Sequence, residues 1–155
     1  MKMDTNIRVR TDRRHRTLYN QLRSHALGDS HELFFLCVCL ARKHKAPKSF
    51  GRNGDDRFWS GTIEPEEWCS YYAIVLEEND MDFERVADDK GVIARIEEYA
   101  NGGMEMLIND CLKDYLAASA GDELSLDMNV ARELPKTLLG YFFEQGMTEG
   151  VAANA

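Results

Sequence analysis

Breakers are scarce in this chain. Three prolines and eleven glycines in 155 residues exclude collagen-like and linker-type sequence and leave long stretches free for regular structure. Long apolar runs are missing as well. The longest, Leu33 to Ala41, holds nine residues, about half of what a bilayer-spanning helix needs. The basic start, MKMDTNIRVRTDRRHR, has no apolar segment behind it, so no secretory signal is expected and the setting is read as cytoplasmic. Four cysteines without a Cys-x-x-Cys pair read as reduced thiols rather than a disulfide frame or zinc ribbon. Neither a phosphate-binding Gly-x-x-x-x-Gly-Lys loop nor a Gly-x-Gly-x-x-Gly turn occurs.

What is present is an ordinary globular composition, 44% hydrophobic and 30% charged. A chain of this length buries roughly 68–70% of its unfolded surface, enough for one core. A single domain over 1–145 with a flexible tail at 146–155 is expected. The net charge of −8 conceals a split. Residues 1–57 carry thirteen Lys/Arg against six Asp/Glu, net +7, and residues 58–155 are net −15. Such asymmetry suggests a basic surface beside an acidic body.

Periodicity points to helices. The basic N-terminal helical unit spans 7–27. It opens on a short extended arm, Ile7 to Arg10, and Thr11 or Asp12 can cap the helix behind it. Leu18, Leu22 and Ala26 form its apolar stripe, with Arg13, Arg16 and Arg23 opposite. Gly28 would end it. A nearly all-apolar helix follows over about His31 to Lys43, its Arg-Lys-His-Lys exit suiting the C-terminal carbonyls. Residues 45–63 read as a long irregular loop pinned by Phe58 and Trp59. Pro65 starts a helix with Trp68, Tyr71, Tyr72, Val75 and Leu76 on its core face. Another opens at Asp88 or Asp89, carries Val92, Ile93, Ile96 and Tyr99, and stops at Asn101-Gly102-Gly103. Met104 to Tyr115 begins afresh, and Asp127 to Gln145 is helical but interrupted at Pro135. The expected fold is an all-α bundle of about six helices.

Chemistry-bearing motifs are few. His31, Cys37, Cys39 and His44 share one segment, but on a helix Cys37 and Cys39 diverge, so no zinc tetrahedron forms and no metal or cofactor is expected. Asp88-Asp89-Lys90 has the Asp-x-Lys spacing of some metal-dependent nucleases, yet falls where helix caps are acidic. No catalytic residue is assigned, and a metal-dependent nuclease that loses cleavage on changing Asp88 or Asp89 stays open as an alternative. The basic residues make the candidate site: Arg8, Arg10, Arg13, Arg14, Arg16 and Arg23, then Arg42, Lys43, Lys45, Lys48, Arg52 and Arg57. Arginine's fork suits phosphate oxygens, and neutralised phosphates release counterions without reading sequence. Weak binding to DNA backbone, to an acidic protein, or to the acidic face of another copy is the expectation, with no membrane contact.

The stretch Ile96-Glu97-Glu98-Tyr99-Ala100-Asn101-Gly102-Gly103-Met104-Glu105, with Thr17-Leu18-Tyr19, the Leu33–Lys45 segment and Phe58-Trp59, resembles the family of the fourth Dnd-system-associated protein. These are small proteins encoded beside bacterial DNA phosphorothioation and restriction genes. The resemblance covers residues 7–118, and the segment after Ala120 departs from the pattern. It implies a setting in anti-phage defence linked to modified DNA and supplies no mechanism; within that setting an accessory protein acting through binding is expected. In a purely bridging role, Leu138 to Phe143 would be the docking helix.

Overall fold

Along Arg8–Asp12 the burial alternates through Val9 and Thr11 inward and Arg8 and Arg10 outward, and this period-two pattern is satisfied by a strand. In the computed structural model, which describes residues 2–26, 28–118 and 121–147, that strand (β1) pairs antiparallel with β2, Gly54–Trp59. The helices are α1 (Arg16–His25), α2 (Ser30–His44), α3 (Pro65–Glu78), α4 (Asp89–Leu107) and α5 (Leu134–Glu144).

The expected all-α bundle of six helices is thus corrected to five α-helices and a two-stranded ribbon. Two causes account for the difference. The partner of β1 lies inside the segment read as a loop, where only Phe58 marks the inner face, and pairing at such sequence distance leaves no periodic trace. The 7–27 unit is a strand, a 3₁₀ turn at Arg13–His15 capped by the Asp12 carboxylate, and then α1. The second cause is that Asn101-Gly102-Gly103 does not stop a helix. α4 runs through it and widens only at Ile108–Leu112, a π-helical turn.

The reason for those glycines is proximity. A Cβ on Gly103 would lie 1.8 Å from the Cys37 carbonyl oxygen, and one on Gly102 would lie 1.8 Å from that of Ala46. Neither glycine is among the positive-φ residues. They let α4 cross α2 at backbone distance, and this pair forms the centre of the core. Leu33, Phe34, Cys37, Val38, Leu40 and Ala41 of α2 meet Val92, Ile93, Ile96, Ala100, Met104 and Leu107 of α4 within one buried cluster. α2 ends at Lys45, whose left-handed backbone turns the chain back across Gly102.

α3 begins as expected, with Pro65 in its first turn and a reciprocal Glu64/Glu67 cap. The segment after 120 is integral to the core. Leu126, Leu134, Leu138 and Phe142 are buried in the same cluster, and Leu124 N–H donates to the Arg14 carbonyl. Pro135 sits at the start of α5, where its missing N–H is harmless. Of the expected tail, residues 148–155 lie outside the described residues.

Candidate interaction surface

The ribbon places the first arginines. Because the register shifts between Val9 and Arg10, Arg57 has no cross-strand partner, and such a bulge can turn a side chain inward. Its side chain is 4% exposed. The Nε donates to Thr11 Oγ1 at 2.8 Å, the guanidinium lies 5.5 Å from the Tyr19 ring centre, and burial lowers its pKa. The Arg57 side chain is thus turned inward and leaves the basic surface.

Arg8 and Arg10 remain outside. Arg8 stacks 4.4 Å over the ring of Trp59, which is 50% exposed. Asp56 lies between them, 3.5 Å from Arg8 Nε and 4.0 Å from Arg10 Nε. Arg10 also donates through Nη2 to the Gly54 carbonyl at 2.6 Å. Its backbone N–H donates to Glu97 Oε2 at 2.5 Å. Arg13 and Arg52 are exposed and make no ion pair among the described residues.

The other predicted cations are largely neutralised. Arg14 and Lys48 converge on Glu105, at 3.4 and 3.9 Å. Arg16 lies 3.3 Å from Asp55 and 3.6 Å from Glu123, and Arg23 lies 3.8 Å from Asp29. Arg42 is 2.5 Å from Glu77, Lys43 donates to the Gln145 carbonyl, and Lys45 is exposed at the α2 terminus. The acidic half of the sequence therefore folds back on the basic half. No single basic face survives intact. Among the described residues, the predicted cations without a carboxylate partner are Arg13 and Arg52 beside the ribbon and Lys43 and Lys45 at the end of α2.

Two networks escaped the sequence. The buried His15 Nε2 sits 3.1 Å from Glu105 Oε1. That hydrogen bond, with Lys48 and Arg14 against the cost of burial, holds the Glu105 carboxyl below its ordinary range. Asp12, His15 and Glu105 have metal-like spacing, but Glu105 already faces two cations, so the set reads as an ion-pair network. The second network surrounds Tyr99. Arg42 and Arg95 stand 5.9 and 5.0 Å from its ring centre, and its hydroxyl donates to Glu78. Arg95 grips Glu78 with two bonds, at 2.8 and 3.0 Å. Burial would raise the Glu78 pKa, but these donors outweigh it and lower it.

The remaining candidates are accounted for locally. His31 Nδ1 lies 2.8 Å from Glu67, His44 lies 2.6 Å from Gln145 Oε1, and burial raises the Cys37 and Cys39 thiols, the latter to about 11. These four do not gather. Asp88 caps α4 by accepting from Lys90 N–H, and Asp89 accepts from the Tyr72 hydroxyl and Asp4 N–H. A concavity of about 690 Å³ beside them is lined by Glu78, Glu84, Arg85, Asp88 and Arg95 among others, side chains of opposed charge.

The stretch that carries the family resemblance is the hub of the molecule. Glu97 reaches β1, Glu98 O accepts from Lys48 N–H, Tyr99 centres the arginine network, and Asn101 Nδ2 donates to the Lys48 carbonyl. Gly102 and Gly103 admit neighbouring backbone, and Glu105 gathers His15, Arg14 and Lys48. Comparison with protein-family models, characterised proteins and solved structures finds no match. No helix among the described residues is long and apolar enough to cross a membrane.

Proposed function

We propose that this is a non-catalytic accessory protein of a bacterial DNA phosphorothioation and restriction system, working in the cytoplasm and binding the DNA backbone through the flank of its ribbon. The setting rests on the resemblance of the Ile96–Glu105 stretch. The binding mode rests on one observation. Arg8 is held open on the half-exposed Trp59 beside Arg10, with the unpaired Arg13 and Arg52 near the other end of the ribbon. A guanidinium held on an indole suits a phosphate of the backbone.

Asp56 opposes this use by neutralising Arg8 and Arg10. Fluorescence anisotropy with a labelled duplex at low ionic strength tests the reading. Asp56→Asn should tighten binding. Arg13→Gln with Arg52→Gln should weaken it and lower the log–log salt slope by about 0.9 per lost phosphate contact. Absence of binding by the native chain at low salt rejects the DNA form. A second reading is an acidic protein partner, favoured because eight of the predicted cations already pair with carboxylates within the chain. Retention of a partner from the host that is lost in the same double variant would select it.

A further inference from the structure

α5 turns Leu134, Leu138, Tyr141 and Phe142 into the core, and none of the other described residues buries the opposite side. On it Leu139 is 63% and Phe143 60% exposed. Between them stands Gly140, and a Cβ built there meets nothing within 4 Å. Glycine weakens a helix interior relative to alanine, and the described chain offers no close approach that requires it. The contrast with Gly102 and Gly103, each pressed against backbone, is direct.

The charges on this side are placed against the local rule. Lys136 lies near the N-terminus of α5 and Glu144 at its C-terminus, each at the end of the helix dipole that disfavours it. Both are exposed and make no ion pair among the described residues. They stand one at four residues before and one at four residues after Gly140, along a single i, i+4 ridge.

We propose that this face of α5 is the docking surface for a second copy of the chain, the two helices crossing antiparallel about a two-fold axis at Gly140. That symmetry sets Lys136 against Glu144 of the second copy, twice, and lets the helices approach at the glycine while Leu139 and Phe143 cover the contact. Parallel pairing would instead oppose like charges. A helix of three turns offers limited area, so the dimer belongs to the weak, micromolar class. The inference is independent of the DNA-binding reading, since it uses neither the ribbon nor its arginines.

Sedimentation velocity over a concentration series tests it. The native chain should pass from monomer to dimer. Lys136→Glu and Glu144→Lys should each raise the dissociation constant roughly tenfold, with the melting temperature unchanged or higher. The double exchange K136E/E144K should restore self-association, and an equimolar mixture of the two single variants should dimerise as the native chain does. Gly140→Leu should abolish the dimer while leaving the far-ultraviolet circular dichroism intact. A native chain that stays monomeric, including one whose α5 face is covered only by a different protein, overturns the proposal. So does a dimer indifferent to the charge reversals, or one that the exchange fails to rescue.

Discussion

Glu97 and Glu105 lie two turns apart on α4, yet burial and its compensation push them in opposite directions. Desolvation raises the Glu97 pKa to about 7, although it accepts the Arg10 N–H and faces the Arg10 charge, with Asp56 and Glu98 adding to the rise. The folded state thus keeps a proton that the unfolded chain releases near its ordinary value of 4.5. Stability should fall as pH rises from about 4.5 to about 7 and level off above it. Glu97→Gln keeps an acceptor for Arg10 N–H and removes the charge. In urea titrations it should match the native chain near pH 4.5 and exceed it at pH 8 by roughly 1–3 kcal/mol. Glu105 has the opposite sign. Its pKa is held down by His15, Lys48 and Arg14, so its contribution is present at neutral pH and lost in acid, and Glu105→Gln should destabilise at pH 7 with an effect that fades as the pH falls. An equal effect of both substitutions at pH 8 and in acid would contradict this assignment.

Helices were legible where a stripe faced one core. α3 matches its Trp68/Tyr71/Val75 face and its Pro65 start, and α2 its apolar length. The ribbon was half legible. Ile7 to Arg10 alternates and reads as extended, whereas β2 contains Asp55, Asp56 and Arg57 and announces no strand. Asn101-Gly102-Gly103 misled for a definite reason: glycine serves equally where a helix must turn left-handed and where another backbone must come close, and one sequence cannot separate the two. The observed use makes a sharp prediction. Gly103→Ala drives a methyl into the Cys37 carbonyl and should cost about 3 kcal/mol, read from chemical denaturation. A stop in the left-handed conformation would tolerate asparagine, so Gly103→Asn should be worse than alanine at this packed position. A variant with asparagine as stable as the native chain would overturn the crossing. Of the candidate site, the residue types were legible but their availability was not. Arg57 is drawn inside by a bulge, and Arg14, Arg16 and Arg42 are taken up by carboxylates far away in sequence.

At the scale of the whole molecule, the segment after 120 decides whether the core is closed. It contributes Leu126, Leu134, Leu138 and Phe142, and the Tyr141 hydroxyl donates to Asp110 at 2.9 Å. Leu126 N–H also donates to Gln21 Oε1 at 2.7 Å. A chain ended after residue 118 should therefore lose cooperative melting and bind the dye anilinonaphthalene sulfonate, because burial of several large side chains, each contributing about 1.5–3 kcal/mol, exceeds the margin of a typical domain. Retention of a sharp native-like transition would show that residues 7–118 are self-sufficient.

The ribbon also dictates an order of assembly during synthesis. Its two strands bracket α1 and α2, and Ile7 N–H waits for Ser60 Oγ across 53 residues of sequence. When β2 leaves the ribosome the first sheet contacts can close, but α2 still shows the apolar side that only α4 covers. For the time taken to make α3 and α4, the side of α2 carrying Leu33, Cys37 and Leu40 lacks its helical cover. Contacts of such long range close slowly, so this interval is when the nascent chain most depends on a chaperone or on slow dilution. Any change that delays the Gly103 crossing prolongs it.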